Sequence, residues 1–178
     1  MPGSHRGALP HGGMRELLVP PSTIACNAAI SACRRGFQWE GALALLASMP
    51  TFVIAADVVS FNAAISAQGR RWLRALLLLG SMPERRVAPN LISCNSGINA
   101  CKVARWALAL SLLMSMPWGR LAPDAVSFNA GISACGWGGS WSLALTLLGC
   151  MPRLRVAPDV VSFNAAISAC EEDGRWRR

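Results

Sequence analysis

Apolar residues recur along the chain at the spacing of helices that bury one face. Phe128, Ile132 and Cys135 stand at i, i+4 and i+7, which places them on one side of an α-helix. Neighbouring alanines are small enough to allow close helix packing. Two further segments have apolar residues at helical spacing: Phe163, Ile167 and Cys170; and Ala42, Leu45, Leu46 and Met49. The pattern therefore predicts buried faces on a series of short helices.

A second kind of segment is apolar nearly all round. Residues 43–47, 75–79 and 107–114 are such runs, and each run is followed by a Met-Pro pair within a few residues. Crossing a membrane takes about 20 apolar residues in a row, so these runs predict helices covered by neighbours and no membrane span. Because a proline disfavours helix at the residue before it, we expect each of these helices to end at the methionine.

The chain also repeats itself, and the repeat predicts its architecture. The sequence VVSFNAAISA occurs at 58–67 and again at 160–169. One asparagine slot returns every 33 to 35 residues, at Asn27, Asn62, Asn95, Asn129 and Asn164. A tryptophan slot follows it, at Trp39, Trp72, Trp106, Trp141 and Trp176. An Asp/Asn slot closes each unit, at Asp57, Asn90, Asp124 and Asp159.

These slots divide the chain into four full repeats with a fragment at each end. The predicted units are 1–22 (with the tail of a partial repeat at Met14 to Ser22), 23–57, 58–90, 91–124, 125–159 and a truncated 160–178. Each full unit predicts two helices, with turns at 34–36 and 136–140. One such pair cannot bury its own apolar faces, but stacked pairs can. The expected fold is therefore all-α, a right-handed α-solenoid of helix-turn-helix repeats.

Composition narrows the possible chemistry. The chain is 53% apolar and only 15% charged, which excludes intrinsic disorder. Its only histidines are His5 and His11, so the body of the chain offers no histidine base and no His-rich metal site. The seven cysteines form no C-x-x-C motif and are interpreted as buried thiols. We expect no catalysis, no metal and no cofactor. Lys and Arg number 17 against nine acids, a net charge of +8 that favours an acidic partner.

The repeated segments VVSFNAAISAC, WxxALxLLxxM and APD resemble the pentatricopeptide repeat family over residues 14 to 178. The resemblance implies binding of single-stranded RNA at one base per repeat. In that family the fifth and last residues of a repeat choose the base. The implied base-reading residues are Asn27 with Asp57, Asn62 with Asn90, Asn95 with Asp124, Asn129 with Asp159, and Asn164, which lacks a partner. Asn with Asp is the family's uracil combination and Asn with Asn favours a pyrimidine, so the implied site is U-Y-U-U.

The resemblance implies two further sets of contacts. Aliphatic second residues sandwich the bases in the family, and here they are Ile24, Val59, Ile92, Val126 and Val161. A cation near position thirteen binds phosphate, and the candidates are Arg35, Arg70 and, one position early, Lys102. The fourth and fifth repeats carry Trp137 and Glu172 there, so the grip on phosphate should weaken towards the C-terminus. The chemistry also suits a base edge, because a carboxamide both donates and accepts and a carboxylate can orient it.

Other interpretations of the same residues stay open. The asparagines could recur through duplication alone, and aspartate before a helix is a good N-cap. The tryptophans are interpreted as core within each repeat rather than as stacking platforms. A peptide-binding scaffold is the alternative function, and an incomplete product of a longer repeat array is a third interpretation. Uncapped ends predict exposed apolar surface, self-association or further repeats. Family resemblance suggests a mitochondrion or chloroplast, and otherwise the cytoplasm.

Overall fold

The computed structural model describes residues 22–36, 38–116 and 120–172, and residue 172 is described by its backbone only. In this part of the chain there are nine α-helices and no strands. The helices are α1 Thr23–Arg35, α2 Trp39–Ser48, α3 Val58–Ala67, α4 Trp72–Glu84, α5 Leu91–Cys101, α6 Trp106–Ser115, α7 Ala125–Trp137, α8 Trp141–Cys150 and α9 Val160–Glu172. Short 3-10 turns follow α2 at Met49–Phe52 and α8 at Pro152–Leu154.

The odd-numbered helices are the first helices of the repeats and the even-numbered helices are the second. Each first helix packs on the first helices before and after it, and each second helix packs on the first helices of its own and the next repeat. A continuous layer of first helices results. The predicted all-α solenoid of stacked helical hairpins is confirmed.

Side-chain caps explain where the first helices begin. Asp57, Asn90 and Asp124 each precede a helix, and each forms a capping box with the serine three residues later. These boxes satisfy backbone N–H groups that have no partner within the helix. The Ser22 hydroxyl does the same for α1 by accepting from the Ala25 N–H. Each described second helix instead begins at a tryptophan, after a residue that makes no side-chain cap.

The buried core confirms most of the apolar pattern. Ala42, Leu45 and Leu46 of α2 are buried, as is Met49 directly after the helix, while Ala47 is exposed. Phe128, Ile132 and Cys135 of α7 are also buried. On α9, however, the equivalent Phe163 is 52% exposed and Ile167 is 47% exposed, so the predicted burial of that face is wrong. Helices α6 and α8 flank α7 on its apolar side, whereas only α7 and α8 pack on α9 within the described residues.

Helices α2, α6 and α8 end immediately before Met49, Met116 and Met151, as the sequence predicts, although these methionines keep right-handed helical dihedrals. Helix α4 differs from the prediction, because it runs through Pro83 to Glu84. Burial explains this, because these methionine side chains are at most 2% exposed and packing outweighs the preference imposed by the proline.

The turns within two repeats are also shorter than predicted. Arg34 and Arg35 belong to α1, and Gly136 and Trp137 belong to α7. The predicted partial repeat at Met14 to Pro21, both histidines and Trp176 lie outside the described residues.

Candidate functional site

The recurring asparagines occupy the fifth residue of every first helix. Since these helices pack side by side, the five asparagines follow one another along a single layer. Asn62 and Asn129 are each only 9% exposed, Asn27 and Asn95 are half-buried, and Asn164 is exposed. Asparagine is a poor helix former, which makes its recurrence in these helices notable. The amides that are buried need hydrogen-bond partners.

One partner is the Asp/Asn slot that closes the same repeat. Asn27 Nδ2 donates to Asp57 Oδ1 at 3.2 Å, about 30 residues away along the chain. The same contact occurs from Asn62 to Asn90 at 3.2 Å, from Asn95 to Asp124 at 3.4 Å and from Asn129 to Asp159 at 3.1 Å. The two slots that the family resemblance pairs are therefore in direct contact in all four full repeats.

The second partner is a serine of the following repeat. The Ser60 hydroxyl donates to Asn27 Oδ1 at 2.6 Å. The same bond joins Ser93 to Asn62 at 2.6 Å, Ser127 to Asn95 at 2.7 Å and Ser162 to Asn129 at 2.6 Å. Each asparagine is thus held at both ends of its amide, by the last residue of its own repeat and by the third residue of the next.

Backbone geometry fixes the direction of this network. The Ser93 N–H can only donate, and it lies 3.0 Å from Asn90 Oδ1, which therefore accepts. That oxygen also faces Asn62, so Asn62 must present its NH2 group to it, and the Asn62 oxygen then faces the Ser93 hydroxyl. Since an amide has two N–H groups and an oxygen with two lone pairs, each of these four asparagines keeps one donor and one acceptor uncommitted.

The hydrogen bonds also act on the aspartates. Burial alone raises the pKa of Asp57 and Asp124, but hydrogen bonds from the capping serine and the paired asparagine outweigh it. The pKa of both carboxyls is therefore lower than usual. At Asp159 the Ser162 N–H is the largest cause of a lowered pKa, and the amide of Asn129 lowers it further. All three groups are carboxylates at neutral pH.

Exposed aliphatic side chains lie one helical turn before the asparagines. Residues i and i+3 share a helix face, so each second residue flanks the fifth. The exposed fractions are 82% at Ile24, 53% at Val59, 60% at Ile92, 56% at Val126 and 59% at Val161. Large aliphatic groups at these exposures form a regular apolar series beside the amides.

The candidate phosphate-binding cations differ in their positions. Arg35 ends α1 and Arg70 lies in the turn before α4, and both are exposed. Lys102 follows α5 and is half-buried. In the fourth repeat Trp137 takes this position and is 52% exposed, so no cation occupies it there. Cationic charge at this position is thus confined to the first three repeats among the residues described.

The cysteines are packing residues in this molecule. All seven cysteines are free thiols, and Cys26, Cys33, Cys101 and Cys135 are buried. Burial raises the pKa of Cys135 to about 11, which keeps this thiol protonated and unreactive. Within residues 22–172, as far as they are described, no cluster of His, Cys, Asp and Glu could hold a metal ion. None of the described helices is long and apolar enough to cross a membrane.

The tryptophans lie between repeats rather than only within them. Trp39 is half-buried, and its ring carries the guanidinium groups of Arg71 and Arg74 at 4.5 and 3.9 Å from the centroid. Arg105 lies 5.1 Å from the Trp72 ring centroid in the same way. These arginines belong to the following repeat, so the predicted core role extends to the contact between neighbouring repeats.

Sequence reasoning missed the serines. Ser60, Ser93, Ser127 and Ser162 are fully buried, and they join each asparagine to the next repeat. The signal was present, because serine stands two residues before the asparagine in four of five repeats and three residues after a capping Asp or Asn. A capping box accounts for the second spacing, but only the packing of neighbouring first helices reveals the contact to asparagine.

Known proteins share both the sequence pattern and the fold. A sequence model described as the pentatricopeptide repeat domain matches residues 77–138 and 122–172. No curated protein sequence matches the chain significantly. Among solved structures, the maize pentatricopeptide repeat protein PPR10, bound to an 18-nt psaJ RNA element, has 26% identity and a TM-score of 0.78 over 92% of this chain.

The matched region covers 25% of the PPR10 chain, so the present chain spans about a quarter of that relative. The PPR domain of Arabidopsis thaliana protein-only RNase P 1, bound to tRNA, has a TM-score of 0.66 at 13% identity. That match covers 82% of each chain, and at this identity it shows a shared fold alone.

Proposed function

Because the chain belongs to the pentatricopeptide repeat family, we propose that it binds single-stranded RNA through the row of asparagines and reads one base with each full repeat. The observation that supports this most is the asparagine network. Four buried or half-buried amides have the same two partners, and each retains a donor and an acceptor. PPR10, the similar structure at 26% identity, is itself an RNA complex.

The last residue of each repeat sets the character of the base edge. Aspartate has a second carboxylate oxygen, an acceptor, which suits the N3–H of uracil directly or through water. Asn90 commits its oxygen to Ser93 and Asn62, so its remaining group is an NH2 donor, which suits the N3 acceptor of cytosine. We therefore propose a uridine-rich site, U-Y-U-U, with the pyrimidine at the second nucleotide.

The exposed aliphatic series supports the same proposal. Flat base faces pack well on apolar side chains, and such packing does not depend on base identity. Val59 and Ile92 flank Asn62 along the layer, and this pattern continues through the stack. Arg35, Arg70 and Lys102 would add phosphate contacts near the first three bases. Affinity should accordingly depend on salt, with the largest share of that dependence in the N-terminal half.

Binding of fluorescent oligonucleotides tests the proposal. The expected result is a preference for U-rich over A-rich RNA at each of several salt concentrations. Asn129→Ala should reduce discrimination at the fourth nucleotide by about 1–3 kcal/mol, the usual value of a base-edge contact. Asn99→Ala is the matched control, because Asn99 is exposed on α5 and its side chain bonds to no other described residue than Asn95, at the backbone carbonyl. Equal binding of both RNAs, unchanged by Asn129→Ala, would refute the assignment.

A peptide-binding scaffold is the competing function, and the same measurement separates the two. An apolar peptide could lie on Ile24, Val59 and their equivalents, but it would not call for one amide with a free donor and acceptor in each repeat. RNA binding that depends on neither the base nor the salt concentration would favour the peptide-binding function. We propose a binding protein without catalysis that supports RNA processing or stability in a mitochondrion or chloroplast, where proteins of this family commonly act.

A further inference from the structure

We propose that the third-position serines are positioning residues for base recognition. Each hydroxyl holds the asparagine of the preceding repeat in the single amide orientation that reads the base. This inference rests on the proposed RNA-binding function and concerns Ser60, Ser93, Ser127 and Ser162.

The available donors and acceptors indicate that each serine hydroxyl donates its hydrogen to the asparagine Oδ1. The Ser127 oxygen accepts from the Asp124 N–H at 3.3 Å and has one proton to donate. Asn95 Oδ1 lies 2.7 Å away and Asp124 Oδ1 lies 2.8 Å away. The aspartate oxygen already accepts from the Ser127 N–H and from Asn95 Nδ2, whereas the asparagine oxygen has no other side-chain donor among the described residues. Donation to Asn95 therefore leaves the network with every group satisfied.

The hydroxyl also supplies the second anchor of the amide. The terminal torsion of asparagine is broad, so one hydrogen bond leaves the amide plane free to turn. A bond at Nδ2 and another at Oδ1 define the plane, and with it the directions of the remaining N–H and lone pair. At Asn95 the Nδ2 contact is the longer of the two, at 3.4 Å against 2.7 Å, so the serine is the closer anchor there.

It follows that the unit that reads a base spans two repeats. The asparagine and the Asp/Asn come from one repeat, and the serine comes from the first turn of the next. Asn129 is completed by Ser162 of α9 in this way. Asn164 is exposed, and within the described part of the chain no serine of a following repeat reaches it. The four asparagines that a described serine completes are each expected to select a base.

The chain already shows that alanine is compatible with the helix at this slot. Ala25 is the third residue of the first repeat, and its N–H is capped by the Ser22 hydroxyl at 3.2 Å. Helix α1 nevertheless extends over 13 residues. A Ser127→Ala variant keeps its backbone N–H for Asp124 and should therefore fold.

The experiment compares Ser127→Ala, Ser127→Thr and Ser115→Ala. Ser115 is the matched control, because among the described residues its hydroxyl bonds only to the Leu112 carbonyl within α6. In the RNA-free protein, NMR of the asparagine side-chain amides should show a shifted Asn95 resonance in Ser127→Ala and no shift in Ser115→Ala. With RNA varied at the third nucleotide, Ser127→Ala should lose discrimination on the order of fivefold, while discrimination at the fourth nucleotide is unchanged. Ser127→Thr, which keeps the hydroxyl, should retain both.

The outcomes separate this inference from the proposed function. If Asn95→Ala abolishes discrimination at the third nucleotide and Ser127→Ala leaves it intact, the positioning role is wrong and RNA reading stands. An Asn95 amide resonance unmoved by Ser127→Ala would also overturn the positioning role. If the unmodified protein shows no base preference at all, both proposals fall.

Discussion

The indole ring of Trp106 lies directly against Gly138, and a β-carbon built on that glycine would stand 2.5 Å from the ring. Trp106 begins the second helix of the third repeat, and Gly138 follows α7 in the fourth. The contact therefore fixes the approach of two neighbouring repeats. The nearest ring atoms are Cγ, Cδ1 and Cδ2, which lie close to the backbone of Trp106 and cannot easily move aside.

Gly138→Ala should destabilise the protein by about 1–3 kcal/mol, the usual cost of overpacking. Gly149→Ala is the matched control, because Gly149 is in α8 and a β-carbon there would meet nothing within 4 Å. That change should stabilise the protein by about 0.5–1 kcal/mol, since alanine is the better helix former. Urea unfolding of both variants measures the difference. Equal effects of the two substitutions would show that the ring contact is unimportant.

A left-handed residue stands four positions after the methionine at the end of each second helix. Val53, Arg86, Arg120 and Arg155 all have φ near 60°. Val53 is β-branched and 95% exposed, so it carries the steric cost of this conformation without packing in return. Val53→Gly should raise the free energy of unfolding by about 1 kcal/mol. Val160→Gly, at an exposed helical position, should instead lower the free energy of unfolding. A loss of stability in both variants would contradict the strain at Val53.

The sequence was sufficient for the helices and most of the core, because each depends on short-range periodicity or on a repeated slot. The pairing of Asn27 with Asp57 came from the family resemblance, and the direct bond between them follows from helix stacking. The contact between Ser127 and Asn95 depends on how closely two first helices approach, which no single repeat encodes. Phe163 shows the same limit, since its pattern equals that of Phe128 and only the neighbouring helices decide its exposure.

Acid should weaken the protein through the aspartate slot. Although burial raises it, hydrogen bonds from Ser127 and Asn95 hold the pKa of Asp124 below its usual value. A lowered folded-state pKa means that the unfolded chain binds the proton first as pH falls. This contribution to stability is therefore complete above the ordinary pKa of aspartate and is lost as pH falls through the lowered value.

Asp124→Asn removes this titration and keeps the cap, as Asn90 does in the second repeat. The variant should lose less stability than the unmodified protein between pH 6 and pH 3, as measured by urea unfolding at each pH. Asp173→Asn, a change beyond the described residues, serves as the composition control. Parallel stability curves for the Asp124→Asn variant and the unmodified protein would argue against the lowered pKa.

The second repeat offers a specificity change in one residue. Asn90 presents an NH2 donor where the other repeats present a carboxylate oxygen, although both types make the same bonds to serine and asparagine. Asn90→Asp should therefore increase the preference for uracil over cytosine at the second nucleotide, by about 1 kcal/mol. Asp124→Asn should produce the opposite change at the third nucleotide. Competition binding with RNAs that differ only at these nucleotides tests both changes. A preference between uracil and cytosine that is the same in both variants as in the unmodified protein would exclude the assignment.

The aliphatic series should contribute affinity without selectivity. Val126 is 56% exposed and lies one turn before Asn129 in α7, where it can contact the faces of adjacent bases. Val126→Ala should weaken binding by about 1 kcal/mol for every base tested at the neighbouring nucleotides, because stacking contacts tolerate any base. Leu145→Ala is the matched control, since Leu145 is an equally apolar residue, 44% exposed, on the second helix α8. Anisotropy titrations against four RNAs separate the two roles. A loss of affinity in Val126→Ala that depends on the base would place the valine among the residues that read the base. A similar loss of affinity in Leu145→Ala would place the RNA on the layer of second helices.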